Sequence, residues 1–395
     1  MTSLSGIRLG FVSARSGSTE GGLWTEAGVG RLLDVWRREC RQLTVALSLA
    51  PQRKIWHDHR LDASLVDFRP LPWLPSIARG FHKAPACRRV IRDVEKQSDV
   101  VIVQLPFAAP LALLRPHKPR LYHVCADVYQ IASTSPWYRG VTRMVAVSVA
   151  RGIDRLYRRL LAWRGARVVT NGEDLWQHYR PQRGRAVVSS SLSRDEIMSV
   201  RRTRPADSPL RLLFVGYLRH EKGIDTLCTA YERVLDCLPS AELCFVGSEN
   251  MVDRGMSEDV RRRLEELSER GNVQFLGHRA FGPELFQCFA DADVLAVPSR
   301  SEGTPRVLVE ARAFGCTVVA SRVGGIPTSV EDEVDGLLVP PDDSAALADA
   351  LLRIGRDAAL KKRLIENGIC RAQKTTVESF AEAMAEEAAA CLTAA

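Results

Sequence analysis

Apolar runs rich in Val, Ile, Leu and Phe recur along this chain, each followed by a loop and an amphipathic stretch with the 3.6-residue period of a helix. The pattern predicts a strand over residues 7–13, a loop containing Gly17, Gly21 and Gly22, and a helix over 23–38. Further strands are predicted over 43–49, 99–103 and 120–124. Such runs, apolar without alternation, suit a parallel sheet covered on both faces. The same order restarts at 210–216, with a helix over 223–235 and strands over 241–246, 273–276, 294–297 and 317–320. Two doubly wound, Rossmann-like α/β domains follow, over 1–190 and 210–375. Residues 191–209, rich in Ser, Arg and Pro and without a period, read as a linker, and 376–395 as a terminal helix. Ligands of doubly wound sheets bind outside the carboxyl ends of the strands, so this organisation predicts a two-substrate enzyme working at an interdomain cleft.

Composition narrows the picture. In 395 residues, 46% are hydrophobic and 26% charged, an ordinary globular balance that excludes a disordered, collagenous or coiled-coil chain. No apolar run approaches the roughly 18 residues of a membrane span, and residues 1–11 lack a secretory pattern, so a cytoplasmic protein is expected. The ten Cys show no CxxC and no metal-ligand spacing, and read as reduced core residues. Charge is uneven. Residues 1–200 hold 31 Lys and Arg against 16 Asp and Glu, a net +15, whereas the rest holds 24 against 31, a net −7. A basic first half points to an anionic partner such as a membrane surface or a phosphorylated acceptor. Nucleic acid is not expected, because no aromatic–basic module accompanies the charge.

The chemistry concentrates in residues 298–310. A buried strand ends at Pro298, Glu302 and Gly303 lie in the following loop, Thr304 suits a helix N-cap, and Pro305 suits the first helical position. The N–H groups of Arg306 and Val307 would then face an anion, and Gly303 would let the backbone approach a ligand closely. Glu310, five residues into that helix, lies about 7–8 Å along its axis. A diphosphate at the helix start would have one carboxylate on each side, which suits a nucleotide sugar: Glu302 toward the hexose and Glu310 toward the ribose diol. The plain alternative is a pair of solvated acids at a helix end.

Glu302 to Glu310 resembles the Glu-x7-Glu signature of retaining glycosyltransferases of family 4, which have the GT-B fold. Val215-Gly216-Tyr217-Leu218-Arg219-His220-Glu221-Lys222-Gly223 resembles the family's Gly-Arg-x-x-x-x-Lys-Gly loop, and 272–278 resembles the strand that faces the nucleotide base. Residues 316–327 and 335–339 match in character, so the resemblance is specific across roughly 210–345. It implies Lys222 at the diphosphate, Glu302 on sugar hydroxyls, Glu310 on the ribose, and the backbone at Gly216 and His278 near the nucleotide. Tyr217 stands where the family has Arg, and Arg219 is the candidate substitute. After Val246-Gly247, Ser248-Glu249-Asn250 departs from the family's Asp-Gly-Pro. In the first half, Gly21-Gly22 resembles the family's Gly-Gly loop at the donor phosphate. Asp127 is the candidate polar group at the strand end 122–127, with His123 either a second contact or a core histidine.

The resemblance implies transfer of a hexose from a UDP- or GDP-sugar to a glycan, lipid-linked or small hydroxylated acceptor, in bacterial polysaccharide or glycoconjugate synthesis. No cofactor and no metal are expected. Asp291-Ala292-Asp293 spells a metal-binding Asp-x-Asp, but its place between a helix and a buried strand reads as a helix end. The rivals are another GT-B enzyme, such as a nucleotide-sugar epimerase or a phosphorylase, and a non-catalytic nucleotide-sugar-binding protein. A dinucleotide oxidoreductase lacks its GxGxxG after either opening strand. Residues 137–167 carry eight Arg and one Asp with apolar positions at helical spacing. They fit either an interfacial amphipathic segment touching a membrane or a core-packed helix with a solvated Arg face.

Overall fold

The computed structural model describes residues 4–393 except 75–79, 135–137, 139, 163–164, 206, 248–257 and 270. Trp137 and Trp163, in the stretch 137–167, and Ser248-Glu249-Asn250 lie outside the described residues. The chain divides into two compact units, 1–191 with 377–395, and 192–376.

The first unit is built on a sheet whose strands are β1 (Arg8–Ser18), β2 (Leu23–Thr25), β3 (Gln42–Leu49), β4 (His59–Leu61), β5 (Asp67–Phe68), β6 (Val100–Leu105), β7 (Arg120–Val124), β8 (Arg167–Asn171) and β9 (Gly184–Val187). The parallel body runs β5-β3-β1-β6-β7-β8-β9, and β2 and β4 extend it as antiparallel strands off the end of β1. The helix expected over 23–38 therefore starts later, at Ala27, and ends at Glu39. Gly21 (φ 69°) and Gly22 (φ 134°) reverse the chain after β1, and Leu23 to Thr25 gain ladder partners on β1 and β4. Pairing on both sides outweighs the helical period of three residues.

The terminal helix, Val377–Thr393, belongs to this unit. Phe380, Met384 and Ala388 join Leu9, Phe11 and Trp36 in one core, and Trp36 Nε1 donates to the Ala381 carbonyl at 3.1 Å. Glu387, on the same helix, pairs with Arg167 at 2.5 Å and Arg185 at 2.9 Å.

The second unit carries β10 (Arg211–Val215), β11 (Glu242–Val246), β12 (Val273–Phe275), β13 (Val294–Val297), β14 (Thr317–Ser321) and β15 (Leu337–Val339). Every pair is parallel, in the order β12-β11-β10-β13-β14-β15. The order reverses between β10 and β13, which is where the loops after neighbouring strands part and leave a crevice. Asp293 locks this sheet to its surroundings. Its carboxylate takes Arg202 at 2.8 Å, Lys361 at 2.5 Å and the Arg211 N–H at 2.9 Å, while Asp291 accepts from Thr203 at 2.7 Å. Both acids of the Asp-x-Asp thus do structural work.

Burial opposes ionisation of Asp293, but the bonds from Lys361, the Arg211 N–H and Arg202 outweigh it and hold the carboxyl below its ordinary range. Asp99 is lowered as well, chiefly by the hydrogen bond from Arg8. A carboxylate depressed in the folded state contributes stability above its unfolded pKa and loses it as pH falls through the folded value. The thermal midpoint, followed by circular dichroism, is therefore expected to fall steeply below about pH 4. An Asp293→Asn variant should start lower at neutral pH and lose less on acidification.

Candidate active site

Three adjacent strands end on glycine. Gly216 follows β10, Gly247 follows β11 and Gly277 lies just past β12, with φ of 153°, 147° and 68°. Gly216 N–H donates to Val246 and Gly247 N–H to Gly277, both at 2.9 Å, and a Cβ on Gly247 would stand 1.8 Å from the Gly216 oxygen. The carboxyl edge of this half of the sheet is therefore bare backbone that a ligand can approach.

Two loops meet on either side of the strand-order reversal. Lys222 closes the short turn His220–Lys222 after β10, and Gly223 follows with φ 68°. A Cβ on Gly223 would lie 2.0 Å from the Pro298 oxygen, so only glycine lets the turn touch the end of β13. Arg300 N–H donates to the Glu221 carbonyl at 2.9 Å and ties the two loops. The Arg300 guanidinium fixes them further through Asp225 at 2.8 Å and Asp342 at 2.6 Å. Burial alone would raise the Asp225 carboxyl, but the pairing with Arg300 leaves it below its usual range.

The result is an ion pair at the reversal point: Lys222 Nζ lies 2.5 Å from Glu302 Oε1, and Ser299 Oγ donates to the same oxygen at 2.8 Å. The Glu302 side chain is 11% exposed and that of Lys222 26%, so the pair is shielded yet reachable. Arg219 lies with its guanidinium 4.7 Å from the centre of the Tyr217 ring and 3.5 Å from Glu221. The candidate cation thus stacks on the residue that stands in its family position. His278 is half-buried directly after Gly277, and its carbonyl accepts from Arg279 at 3.5 Å.

The helix expected to start at Pro305 starts instead at Val307 and ends at Ala313. Arg306, with helical backbone (φ −62°, ψ −31°), takes the cap position, and no side-chain cap bond is made. Thr304 is buried against Gly325: a Cβ on Gly325 would fall 2.3 Å from its Oγ1, and Gly325 N–H donates to the Gly303 carbonyl at 2.9 Å. Glu310 is consequently the fourth residue of the helix rather than five residues in, and it is buried. Gly324 (φ 49°) is the tightest point against this loop, since a Cβ there would meet the Glu302 carbonyl oxygen at 1.9 Å. Gly324→Ala is expected to displace Glu302 and cost roughly 1–3 kcal/mol in a denaturant titration.

The remaining candidates lie in the first unit. Gly21 and Gly22 form the turn between β1 and β2, and the φ of 134° at Gly22, more than the Arg60 Nε 2.8 Å from a Cβ there, favours glycine. His123 is buried against Phe380 at 5.4 Å, a core setting supplied by the terminal helix. Asp127 caps its own turn, accepting from Tyr129 N–H at 2.7 Å, and its other oxygen lies 3.6 Å from His178. His178 also bonds Asp154 at 2.9 Å, and Arg158 donates to Asp154 at 2.8 Å, so this cluster carries its own cation. Asp154, His178, Ser299 and Arg300 were not singled out in the sequence. For His178 and Arg300 the partners are too distant along the chain for local spacing to signal them, 24 residues to Asp154 and 75 to Asp225, whereas Ser299 lies three residues from Glu302 and Asp154 four from Arg158.

A chain of two α/β units, each built on a largely parallel sheet, has the GT-B fold. Residues 209–357 match the family described as Glycosyl transferases group 1. A D-inositol 3-phosphate glycosyltransferase of Corynebacterium jeikeium is 36% identical over 173 residues, which are 43% of this chain and 41% of that protein. A phosphatidyl-myo-inositol mannosyltransferase of Mycobacterium leprae is 26% identical over 374 residues, 92% of this chain and 91% of that one. The chain thus spans less than half the length of the first relative and nearly all of the second. Anabaena Alr3699/HepE, solved in complex with UDP-glucose, shares the fold with a TM-score of 0.67 at 20% identity, covering 96% of this chain and 98% of that one. Residues 209–357 are thus similar to the Glycosyl transferases group 1 family, in a chain whose fold is GT-B.

Proposed function

We propose that the protein is a retaining hexosyltransferase that takes a UDP- or GDP-hexose and passes the sugar to a glycan, lipid-linked or small hydroxylated acceptor, on the cytoplasmic side of polysaccharide or glycoconjugate synthesis. The observation that carries this reading is the Lys222–Glu302 pair, 2.5 Å apart at the strand-order reversal. A shielded ammonium beside bare glycine backbone is suited to a diphosphate, and a shielded carboxylate is suited to sugar hydroxyls.

In the reaction the bond between sugar C1 and the diphosphate oxygen breaks while C1 bonds the acceptor oxygen. The acceptor's proton passes to the departing diphosphate on the same face, so the products are the glycoside and a nucleoside diphosphate. Negative charge grows on the leaving group, and Lys222, with Arg219 nearby, offsets it without a divalent metal. Donor binding redirects Lys222 from Glu302 toward phosphate and frees Glu302 for the hexose, while Glu310 serves the ribose. Asp127, Gly21 and Gly22 are assigned to the acceptor and donor-sugar side. Both relatives above are named for inositol-bearing acceptors, so an inositol ring, free or lipid-linked, is the first acceptor to offer.

The test is a panel of UDP- and GDP-hexoses assayed for nucleoside diphosphate release, with inositol phosphate, phosphatidylinositol or no acceptor, in buffer with and without a chelator. Acceptor-dependent release that ignores the chelator supports the reading. Tight donor binding without turnover on any acceptor would leave a nucleotide-sugar-binding protein instead.

A further inference from the structure

The helix Gly140–Leu161 in the first unit is only half used by its core. Its buried residues, Ala150, Ile153, Asp154, Tyr157 and Leu161, all lie in the second half. The first half, roughly 15 Å of helix at 1.5 Å per residue, holds no buried residue, yet it is apolar along one side. Val141 is 75% exposed, Met144 71%, Val145 57% and Val149 39%. Their spacing of three, one and four residues places them in one stripe. The same stripe continues into the second half at Arg155 and Arg159, fourteen residues after Val141 and Val145 respectively, and both arginines are exposed. The only acid of the helix, Asp154, is buried and faces away, bonded to His178 and Arg158. One helix face is thus an apolar tip followed by positive charge, on the unit whose sequence carries the protein's basic excess. The core-packed reading of this segment describes the second half of the helix, and the first half leaves its apolar side exposed.

An apolar tip that no core covers, backed by cations on the same face, matches the boundary between acyl chains and anionic headgroups. A second protein chain would satisfy the apolar tip but leaves the arginine continuation unexplained. We propose that this face docks the protein on an anionic phospholipid surface, with Val141, Met144 and Val145 entering the acyl boundary and Arg155 and Arg159 meeting the phosphates. Among the described residues no helix is long and apolar enough to cross a membrane, and the contact is peripheral and reversible. Docking does not depend on the transferase reading, and its test uses no turnover.

The experiment is co-flotation of the full chain with vesicles of phosphatidylcholine, alone or mixed with phosphatidylglycerol, at low and high salt. Wild type should float with the mixed vesicles, less so at high salt and little with phosphatidylcholine alone. The triple variant Val141→Ser, Met144→Ser, Val145→Ser should bind mixed vesicles at least about tenfold more weakly. The pair Arg155→Gln, Arg159→Gln should bind more weakly too and lose most of the salt dependence. All five positions are exposed, so thermal midpoints should stay at the wild-type value. Flotation unchanged in both variants overturns the proposal. So does a wild-type dimer in sedimentation that the serine variant dissolves while vesicle binding persists, since the face would then belong to a second copy. Donor turnover on a soluble acceptor, measured alongside, should be unaffected by either variant. Failure of turnover in wild type would sink the transferase reading and leave the docking result standing.

Discussion

Lys222→Ala is expected to cut nucleoside diphosphate release by about 10²–10³-fold, mostly in kcat, because it removes a preorganised cation from a site where negative charge develops. Glu302, 2.5 Å away, keeps this ammonium at the strand-order reversal, from where it turns toward the leaving phosphate. Glu302→Gln should act differently. The amide keeps the shape and can still accept from Ser299, but it loses the charge that holds Lys222, and its effect should fall on donor KM as well as kcat. Both variants should fold normally, since an ion pair with a quarter of its lysine exposed contributes about 0–1 kcal/mol. Steady-state kinetics with a saturating acceptor checks the pair. Near-wild-type kcat in both variants would remove the leaving-group role from this pair and, with it, the main support for the proposed chemistry.

The parts of this site that are local in sequence were legible in it, and the parts held by distant contacts were not. The strands β10, β13 and β14 fall within a residue or two of their expected places, because a run of buried aliphatics between glycines allows little else. The lysine loop and the paired glutamates could be recognised because each is a short stretch with fixed offsets. The helix start was misplaced by two residues, at Pro305 rather than Val307, in a loop packed on Gly324-Gly325, some twenty residues on. Leu23 to Thr25 misled because strand partners on β1 and β4 outweigh a helical period. The terminal helix was visible as a helix, but nothing in an Ala- and Glu-rich period tells which unit it covers. Trp36, Arg167 and Arg185, more than 200 residues upstream, supply that answer.

The largest stability effect is expected at Asp335, in the stretch 335–339 that resembles the family. Asp335 and Arg312 are each only 2% exposed, with Arg312 Nη1 3.1 Å from Asp335 Oδ2. Burial pulls the Arg312 guanidinium down to about 10, against the opposing pull of Asp335, so the site barely tolerates this charge even when paired. Arg371 Nε lies 3.1 Å from the same carboxylate oxygen, and Glu331 N–H donates to the other at 2.8 Å. Asp335→Ala would leave the buried Arg312 without its anion, while the half-buried Arg371 keeps Glu331 at 3.6 Å. The expected loss is about 3–5 kcal/mol, the cost of an uncompensated buried charge. In a domain of this size that lowers the melting midpoint by on the order of 10 °C. Arg312→Met should cost less, about 1–3 kcal/mol, because Asp335 keeps Arg371 and the Glu331 N–H while the Leu308 and Ser329 carbonyls lose a donor. The order of the two variants in chemical denaturation is the test. If Arg312→Met proves the more damaging, the hydrogen bonds of the guanidinium to Leu308 and Ser329 hold this corner, and the charge balance at Asp335 is secondary.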